Sequence, residues 1–591
     1  MMKILTKNEF DILLYLKDNG IATQRIISKD LGSSLGAVNH SIKMLQEKNF
    51  LDNTMHLTAQ ANETITKNSP NSAIILAAGL GLRMVPINNS VSKGLLEVKG
   101  ELLIERIINQ LNEVGVSKIY IVVGFMKEQY EYLIDKYHVE LIVNKDYAFN
   151  NSIFSLGLAL KYISNTYIVP CDIWCKVNPF RRDELYSWYM VSDELSLKSR
   201  VKINSKSQLV FKDKNVLGNR MIGISYLTET DSELLKNNIT ELLMSHTNHG
   251  LFWEDALMAK GKFLISARLV NKNNFFEIDT YEQLRALDSN SNQLQSNILD
   301  ILAEIFNVNS SEISDISALK KGMTNRSFLF SVKGNKYIMR IPGEGTDMLI
   351  NRKEEASVYE VIKDKNICDN IKYINPNNGY KVTEFLNGAR TCDPLNNEDV
   401  KKCMSFLKAF HEKKFKVKHT FDIFKQIDFY ENLWNGKKSV YRDYEQTKEN
   451  IYELKNFIDK HKRDYCLTHI DAVPDNFLFI NQSGKEDIRL IDWEYAGMQD
   501  PDVDLAMFSI YALYNKEQID KLIESYYIEE CPKETKLKIY CYIAACGLLW
   551  SNWCEYKRIL GVEFGEYALR QYRYAKDYYR LVKKELLDEQ N

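Results

Sequence analysis

The order of hydrophobic and polar positions divides the chain into three segments. Through about the first 68 residues, apolar side chains recur at the spacing of helices that bury one face. Between Ala73 and about Leu287, short apolar strands alternate with helical stretches, which indicates a wound α/β sheet. The rest of the chain has a helix and a strand-rich part, and then becomes strongly helical and aromatic. Polar stretches at 66–72 and 288–296 separate the segments, so we expect domains at 1–68, 72–290 and 297–591.

Length, charge and the distribution of apolar residues exclude several classes of protein. A chain of 591 residues is too long for one hydrophobic core, and a formal net charge of -2 argues against a chain dominated by nucleic-acid binding. No apolar run reaches the roughly 18 to 20 residues that a membrane helix needs. Charged residues interrupt the N-terminal apolar positions, where a signal peptide needs an unbroken stretch: Lys7, Glu9, Asp11, Lys17 and Asp18. We expect a cytoplasmic protein with no membrane partner, and reduced cysteines, since CxxC pairs are absent.

The N-terminal segment has three predicted helices followed by a short polar stretch. Apolar spacing predicts helices over about 10–16, around Ile26 and over about 34–48. The serines at 33 and 34 are candidate caps of the third helix. Residues 52–58, DNTMHLT, follow where a winged helix-turn-helix has its wing. The pattern resembles the small bacterial winged-helix regulators.

The charge of this module does not favour strong DNA binding. DNA-binding modules usually carry a basic face, because neutralising phosphates supplies much of their affinity. Residues 1–65 instead contain equal numbers of basic and acidic side chains: Lys3, Lys7, Lys17, Arg25, Lys29, Lys43 and Lys48 against Glu9, Asp11, Asp18, Asp30, Glu47, Asp52 and Glu63. DNA binding stays open as a role, but we favour docking or dimerisation.

A glycine-rich loop after a buried strand is the strongest signal of the middle segment. It lies in residues 75–100, ILAAGLGLRMVPINNSVSKGLLEVKG. Glycines let backbone amides approach a nucleotide, so Ala78, Gly79 and Gly81 are candidate nucleotide-binding residues. Arg83 can grip the phosphates that leave as pyrophosphate. Lys93, the candidate catalytic residue, can neutralise charge that builds on the α-phosphate during in-line attack.

This motif resembles the signature of sugar-phosphate nucleotidyltransferases. The flanking stretches 92–111 and 119–144 are similar to the bacterial phosphocholine cytidylyltransferase branch, and the likeness spans about 72–290. One departure is Ser92, where the superfamily often has proline. The resemblance implies a Rossmann-like α/β fold, CTP as co-substrate and Mg²⁺ bound by hard oxygen ligands.

Three acids are candidate metal ligands of the middle segment. Asp172 ends the strand TYIVPCD, where the family has such a carboxylate. Glu277 and Asp279 alternate in FFEIDTYEQL, so that both point to one face of a strand. By resemblance they complete the metal site. A lone acid at a strand end is as often a cap or a solvated side chain.

An aromatic side chain beside two acids is the candidate phosphocholine site. A quaternary ammonium offers no hydrogen bond and is held by cation–π attraction. Trp253, Glu254 and Asp255 in LFWEDAL resemble the choline-recognising turn of the branch. Asn150 and Asn151 match a polar turn near the nucleotide in relatives, and Asn151 is our candidate nucleotide contact. An ordinary loop is the alternative.

Residues 467–497, LTHIDAVPDNFLFINQSGKEDIRLIDWEYAG, carry the most specific motif of the chain. His469, Asp471 and Asn476 reproduce the H-x-D-x-x-x-x-N spacing of a kinase catalytic loop. Asp492 closes an apolar strand where protein kinases have the metal-binding Asp of DFG. Asp471 is thus the candidate catalytic base, and Asn476 with Asp492 the candidate Mg²⁺ ligands. We expect His469 to support the loop rather than transfer protons.

The upstream stretch supplies the other half of a kinase site. In residues 319–343 a loop with Gly322, Thr324 and Asn325 precedes a strand that ends at Arg340. Glu355 follows on a helix, where it can pair with that cation. The GMTN loop, the arginine and IDWEYAG resemble choline and ethanolamine kinases, and more distantly aminoglycoside phosphotransferases. The likeness spans about 300–591, and implies a two-lobed protein-kinase-like fold with ATP as co-substrate.

The aromatic tail favours choline as the substrate. Trp550 and Trp553 stand three apart, on one face of a helix, and a matching tryptophan pair helps to wall the ammonium in choline kinases. Tyr495 and Tyr567 are further candidates for this wall. A helix that packs its aromatic side chains into the core is the alternative.

The two halves together predict a bifunctional enzyme. A kinase that makes phosphocholine precedes a transferase that consumes it, giving CDP-choline and pyrophosphate. The second hypothesis is a sugar-1-phosphate nucleotidyltransferase fused to an ethanolamine or aminoglycoside kinase. A third is a transcription regulator whose enzyme-like domains sense a ligand. The sequence leaves the oligomeric state and any channelling of phosphocholine open.

Overall fold

The chain forms two compact units in the computed structural model. The first comprises Met1–Glu304, Val308–Ser311 and Asp315–Ala318, and the second Ile305–Asn307, Glu312–Ser314 and Leu319–Asn591. The structure describes residues 5–87, 91–148, 150–204, 207–244, 250–257, 265–319, 325–343, 346, 348–482, 485–528, 530–560, 562 and 564–588.

The N-terminal half of the chain contains eleven α-helices within the described residues. They are α1 (Lys7–Asn19), α2 (Gln24–Asp30), α3 (Leu35–Glu47), α4 (Ala59–Asn68), α5 (Leu103–Glu113), α6 (Tyr132–Tyr137), α7 (Ser152–Leu158), α8 (Glu229–Leu243), α9 (Glu254–Leu257), α10 (Tyr281–Leu287) and α11 (Asn297–Phe306).

Thirteen strands accompany these helices in the part of the chain that the structure describes. They are β1 (Ser72–Ala77), β2 (Glu97–Val98), β3 (Glu101–Leu102), β4 (Lys118–Val123), β5 (Glu140–Val143), β6 (Thr166–Pro170), β7 (Ile173–Cys175), β8 (Trp188–Ser196), β9 (Val201–Ile203), β10 (Leu209–Phe211), β11 (Gly218–Leu227), β12 (Ser266–Val270) and β13 (Phe275–Glu277).

The N-terminal module has the three predicted helices, α1 to α3, and a wing. Leu51 and Leu57 form an antiparallel bridge that closes the polar stretch into this wing. Ser34 caps α3, as predicted, because its hydroxyl accepts a hydrogen bond from the backbone N–H of Ala37 at 3.2 Å. The fourth helix, α4, was not predicted. It is mostly polar, and only Ala61 and Ile65 are buried, which are too few positions to set a period.

Seven strands of the middle segment form one mixed sheet, in the order β12-β8-β11-β6-β1-β4-β5. The pairs β1–β4, β1–β6 and β4–β5 are parallel, whereas β11 runs antiparallel to β6 and β8. Successive residues of β1 alternate between the two faces: Ile75 joins one apolar core and Ile74 the other. This confirms the predicted α/β fold. Loops that follow parallel strands β1 and β6 meet at one edge of the sheet.

A short segment of the sheet domain, residues 181–187, docks onto the N-terminal module. Leu185 is 3% exposed and belongs to the apolar core of the module. Tyr186 donates a hydrogen bond to Asp11 at 3.0 Å and stacks on Phe10, with 6.0 Å between the ring centroids. Lys17 forms an ion pair with Asp183 at 2.7 Å. The module is therefore packed against the sheet domain.

Ten more strands follow within the described residues. They are β14 (Ser314–Ala318), β15 (Asn325–Val332), β16 (Asn335–Pro342), β17 (Ile371–Ile374), β18 (Lys381–Glu384), β19 (Arg390–Thr391), β20 (Cys466–Thr468), β21 (Phe477–Gln482), β22 (Lys485–Leu490) and β23 (Gly497–Gln499). The helices of the second unit, again within those residues, are α12 (Arg352–Ile362), α13 (Asn397–Glu412), α14 (Ile423–Asn432), α15 (Tyr444–His461), α16 (Asp502–Tyr511), α17 (Lys516–Tyr527), α18 (Lys533–Ile559) and α19 (Glu566–Asp588).

The second unit has the two-lobed organisation of a kinase fold. Strands β15, β16, β18 and β17 lie side by side in antiparallel order and carry α12. The helical lobe is built around α18, which is almost completely buried from Leu537 to Tyr556 and packs against α14, α15, α16 and α19. The loop between β20 and β21 carries the predicted catalytic residues.

Two further features of the described residues concern membrane spans and cysteines. No helix there combines the length and the apolar character needed to cross a bilayer. The cysteines are free thiols, and all but Cys531 are buried.

Candidate active sites

A cavity of about 690 Å³ lies in the first unit at the edge where β1 and β6 end. Gly81 turns the loop after β1 with a φ of +59°, a conformation that a glycine adopts without strain. The cavity brings together most of the predicted transferase residues. Those among its lining are Ala78, Gly79, Gly81, Arg83, Lys93, Asn151, Asp172, Trp253, Glu254, Glu277 and Asp279.

Lys93 is the centre of a charge cluster in this cavity. Its Nζ donates hydrogen bonds to Asp172 Oδ2 and, at 2.5 Å, to Asp279 Oδ1. Arg83 reaches the same Asp279 oxygen at 2.9 Å. Burial would lower the pKa of Lys93, but the two carboxylates outweigh it and raise that pKa. The lysine is therefore a fixed positive charge beside two acids.

The three predicted acids lie near each other, but they bond different cations. Asp279 follows β13 rather than lying in it, and the N–H of Ile278 donates to the Asp172 carbonyl at 2.9 Å, which holds the two segments together. The Glu277 carboxylate accepts a hydrogen bond from Arg220 at 2.7 Å. The structure therefore directs Asp172 and Asp279 to Lys93, and Glu277 to an arginine that the sequence did not single out.

The three residues of the predicted phosphocholine turn lie in different environments. Trp253 is 2% exposed and packs on Tyr189, with 5.8 Å between the ring centroids. Tyr189 donates a hydrogen bond to Glu254 at 3.0 Å, and burial raises the pKa of Glu254 to about 7. Asp255 is not among the residues that line the cavity. Its carboxylate accepts from the N–H of Phe252 at 2.8 Å and pairs with Arg200, so the observed contacts hold the turn.

Asn151 caps the N-terminus of α7 and lines the same cavity. Its side chain accepts from the N–H of Ser152 at 2.8 Å and donates to the Gly250 carbonyl at 3.2 Å. These contacts fix a polar turn where the sequence predicted one.

A second cavity, of about 410 Å³, lies in the second unit between the strands and the helical lobe. It gathers most of the predicted kinase residues that the structure describes, though not Glu355 and His469. Gly322 and Thr324 lie outside the described residues. The predicted residues among its lining are Asn325, Arg340, Asp471, Asn476, Asp492, Tyr495, Trp550, Trp553 and Tyr567.

Arg340 and Glu355 form the predicted ion pair. The guanidinium bonds both carboxylate oxygens, at 2.5 and 2.8 Å, and donates to the Gly379 carbonyl at 3.0 Å. Burial would raise the pKa of Glu355, but Arg340 outweighs it and lowers that pKa to about 2. Glu494 extends the network, because it accepts from Asn325 at 2.9 Å and pairs with Arg352 at 3.2 Å.

The catalytic loop holds Asp471 and Asn476 together. The Asn476 amide donates to the Asp471 carbonyl at 2.9 Å and to its carboxylate at 3.2 Å. Burial raises the pKa of Asp471, and the negative charges of Asp492 and Glu494 raise it further. Asp492 has a φ of +68°, a left-handed conformation that is uncommon outside glycine and that occurs at functional sites.

His469 has a supporting contact, as its predicted role requires. Its Nε2 lies 3.0 Å from the carbonyl oxygen of Ile491, next to Asp492, and its ring packs edge-on against Trp493. Burial lowers the pKa of His469 to about 4, so the ring is neutral at physiological pH and donates through Nε2.

Asp504 anchors the same loop and was missed by the sequence analysis. It accepts hydrogen bonds from the backbone N–H groups of His469, at 3.0 Å, and Ile470, at 2.7 Å. His411 bonds the same carboxylate at 3.0 Å. Asp504 lies in the stretch DPDVD after the motif, but nothing in its spacing predicts contact with the loop.

Aromatic rings form one wall of the kinase cavity. Trp550 packs edge-on against Tyr495, with 5.5 Å between centroids, and against Trp553, at 5.7 Å. Tyr567 packs edge-on against Tyr511 at 6.1 Å. The sequence missed Tyr511, whose hydroxyl donates to Asp475 at 2.8 Å. It also missed Lys381 of β18, which lines the cavity.

Three family models match the chain in the predicted order. The winged helix-turn-helix DNA-binding model matches residues 5–52, the MobA-like NTP transferase domain 73–178, and the choline/ethanolamine kinase family 316–545. Winged-helix, nucleotidyltransferase and kinase domains thus follow one another, as the sequence predicted.

Characterised relatives match the two enzyme domains separately. The choline-phosphate cytidylyltransferase of Streptococcus pneumoniae is 30% identical over 230 residues, which are 36% of this chain and 96% of the relative. Protein LicA of Haemophilus influenzae is 27% identical over 265 residues, 42% of this chain and 96% of the relative. The crystal structure of choline kinase LicA from Streptococcus pneumoniae is 28% identical and covers 48% of this chain and 99% of that one, with a TM-score of 0.42.

The first of these relatives is 30% identical and is matched over 96% of its own length. The MobA-like NTP transferase model matches where the sequence predicted a nucleotidyltransferase, with the winged-helix model before it and the kinase model after it. The chain therefore belongs to the choline-phosphate cytidylyltransferase family, and in it the transferase is joined to a winged helix-turn-helix domain and a choline/ethanolamine kinase domain.

Proposed function

We propose that the chain phosphorylates choline with ATP and then couples phosphocholine to CMP from CTP, giving CDP-choline and pyrophosphate. The observation that carries the proposal is the kinase cavity. It has an aromatic wall around Trp550 and Trp553 in the same space as Asp471 and Asn476. A trimethylammonium group is bound by aromatic faces rather than hydrogen bonds. A hydroxyl-rich sugar or aminoglycoside would instead need hydrogen-bonding side chains around it.

In the kinase step, Asp471 orients the choline hydroxyl and accepts its proton. The hydroxyl oxygen attacks the γ-phosphorus of ATP, the bond from that phosphorus to the β,γ-bridging oxygen breaks, and ADP leaves. Asn476 holds Asp471 in place through its amide group. The raised pKa of Asp471 suits a group that must take up a proton.

The kinase residues fit a Mg²⁺ ion. Asn476 donates its amide hydrogens to Asp471, so its Oδ1 is turned away and can serve as a ligand. Asp492 adds a carboxylate, and one or two protein oxygens plus phosphates are what Mg²⁺ takes in nucleotide sites. Such an ion would neutralise phosphate charge. No group of three or more His, Cys, Asp or Glu side chains among the described residues is arranged to hold a metal alone.

In the transferase step, Lys93 stabilises the charge that develops at the α-phosphate of CTP. A phosphate oxygen of phosphocholine attacks that phosphorus, and the bond to the leaving pyrophosphate breaks. Arg83 is placed to hold the departing phosphates. Asp172 and Asp279 each bond Lys93 through one oxygen, and these two carboxylates would hold Mg²⁺, which would screen the triphosphate.

The two steps are consecutive, since the product of the kinase is the substrate of the transferase. Both use cytosolic nucleotides, so we propose a cytoplasmic enzyme. The transcription-regulator hypothesis is less supported, because a ligand sensor does not need acids and a lysine clustered at both sites. Residues 1–68 stay proposed as a docking or dimerisation module rather than a DNA-binding one.

The test is product analysis by mass spectrometry with the purified chain. With choline, ATP and Mg²⁺, phosphocholine should form, and adding CTP should convert it to CDP-choline. With phosphocholine, CTP and Mg²⁺ but no ATP, CDP-choline should still form. Equal or better use of ethanolamine, an aminoglycoside or sugar 1-phosphates would overturn the choline assignment.

A further inference from the structure

A buried lysine lies in the kinase cavity and has no role in the proposed mechanism. Lys381 is 5% exposed and lines the cavity from β18. It is the cross-strand neighbour of Arg340 on β16. Thr383, two residues on, lines the same cavity, whereas Val382 between them is buried on the other face of the sheet. The strand therefore directs Lys381 at the ligand space.

The neighbouring Arg340 is already committed to protein acceptors. An arginine has five N–H donors, and this one gives two to Glu355 and another to the Gly379 carbonyl. Glu494 and Asp492 also lie 3.8 and 3.9 Å from its Nη1. The charge of Arg340 is thus largely compensated by acids before any nucleotide binds.

Lys381 differs from Arg340 in this respect. Its Nζ donates to the Tyr359 hydroxyl at 2.6 Å, and no acid of the described residues lies within ion-pair distance of it. A buried charge is costly unless it is paired. The ammonium group of Lys381 thus has no ion-pair partner of its own among the described residues and can bond a ligand.

We propose that Lys381 binds the phosphate groups of the nucleotide and is their main protein cation in the kinase site, Arg340 serving to hold Glu355 and the surrounding acids. The proposal rests on the proposed kinase function and deepens it. An ammonium group offers three hydrogen-bond donors, of which Tyr359 takes one, so two remain for phosphate oxygens. The nucleotide phosphates are the anions that the proposed kinase reaction brings into this cavity.

The experiment compares ATP, ADP and adenosine binding to the full chain by calorimetry or competition. Lys381→Met should weaken ATP and ADP binding roughly 10- to 100-fold, the range for hydrogen bonds to charged groups. Adenosine binding should change less than about threefold. Lys381→Arg should restore most of the preference for ATP over adenosine. Lys336→Met removes an exposed lysine of β16 and should leave all three affinities unchanged.

Tyr359→Phe separates ligand binding from a structural role of Lys381. If the lysine only supports α12 through Tyr359, this variant should reproduce the Lys381→Met loss, whereas we expect it to keep the preference for ATP. Equal losses of ATP and adenosine affinity, or wild-type ATP binding by Lys381→Met, would overturn the proposal. Where Lys381→Met does not fold, Lys381→Gln takes its place with the same expected pattern.

The outcome is independent of the substrate assignment. A wild-type chain that binds ATP but does not phosphorylate choline contradicts the proposed function, while the nucleotide comparison still decides the role of Lys381. A wild-type chain that binds neither ATP nor ADP overturns both. Phosphocholine, the other phosphate compound in this reaction, should bind Lys381→Met and the wild type about equally.

Discussion

Asn476 donates its side-chain amide to both the carbonyl and the carboxylate of Asp471, at 2.9 and 3.2 Å. The predicted base therefore has a fixed orientation before any substrate binds. Asp504 holds the loop from the other side through two backbone N–H groups. The kinase chemistry thus depends on one short segment, and the transferase chemistry on another in the first unit.

Asp471→Asn should lower choline phosphorylation by roughly 10²- to 10⁴-fold, because a positioned base contributes that much to a proton-transfer step. The substitution keeps the size and the hydrogen-bonding shape of the side chain. CDP-choline formation from supplied phosphocholine and CTP should stay at the wild-type rate. Both rates are measured on one preparation. Loss of both activities in a chain with a wild-type melting temperature would contradict two separate sites.

Lys93→Ala should give the reverse pattern. Removing one charge-stabilising contact at the reacting phosphate should slow CDP-choline formation roughly 10²- to 10³-fold. Phosphocholine should then accumulate from choline and ATP. Lys118→Ala, an exposed lysine at the start of β4, is the matched control and should leave both rates unchanged. A normal rate of CDP-choline formation in Lys93→Ala would mean that the lysine only holds Asp172 and Asp279 together.

Leu185→Ala should destabilise the first unit, because it empties a position in the core of the N-terminal module. A buried leucine truncated to alanine costs about 2–5 kcal/mol of unfolding free energy. Leu197→Ala removes a leucine that is 62% exposed and should cost less than about 0.5 kcal/mol. Urea unfolding followed by circular dichroism measures both. Equal stabilities of the two variants would show that the module is not packed against residues 181–187 in solution.

The residues of each motif could be predicted from the sequence, because they lie close together along the chain. Asp471, Asn476 and Asp492 lie within 22 consecutive residues, and the loop that begins at Ala78 follows directly from a buried strand. Their shared cavities follow from the known geometry of strand ends. The module helices were predicted where apolar residues repeat, whereas polar α4 has only two buried positions.

What the sequence could not predict are side chains brought in from distant elements. Lys381 lies on β18, and Asp504 and Tyr511 lie at opposite ends of α16; none belongs to a local pattern that distinguishes it from core or surface residues. The same holds for Tyr186, whose contact with Asp11 joins residues 175 positions apart. Adjacent acids can also have different environments: Glu254 lines the transferase cavity, and its neighbour Asp255 holds a turn.

Glu254 should make phosphocholine binding depend on pH. Burial raises its pKa to about 7, so the carboxyl is mostly neutral at pH 6 and mostly ionised at pH 8. The ionised form attracts the trimethylammonium group, and KM for phosphocholine should fall about three- to tenfold over that range. Glu254→Gln should remove that part of the pH dependence, while titration of the phosphocholine phosphate is common to both proteins. Identical profiles would exclude a role for Glu254 in binding the cation.

The same shift has a consequence for stability. The pKa of Glu254 is higher in the folded chain than in the unfolded one, so its contribution to stability is present at low pH and is lost as pH rises through about 7. Glu254→Gln stays neutral throughout. Relative to the wild type, its melting temperature should therefore be higher at pH 8.5 than at pH 5.5.

Trp553→Ala should damage the use of choline more than that of ethanolamine. Trimethylammonium has no N–H donor, so discrimination against ethanolamine must come from aromatic surface and excluded volume. Trp553 is 2% exposed, lines the cavity, and packs on Trp550 and Phe564 at 5.7 and 5.0 Å between centroids. Loss of one ring, at roughly 0.5–2 kcal/mol, should lower the choline-to-ethanolamine ratio of kcat/KM about 2- to 30-fold.

Trp434→Ala distinguishes an aromatic wall from a packing defect. Trp434 is buried to a similar extent in the helical lobe, where its Nε1 donates to the Asn552 carbonyl at 3.2 Å, and it is not among the residues that line the cavity. It should destabilise the lobe without changing the ratio. The ratio must therefore move in Trp553→Ala alone. Parallel losses for the two alcohols in both variants would mean that Trp553 holds up the lobe, and the choline assignment would then rest on the transferase half.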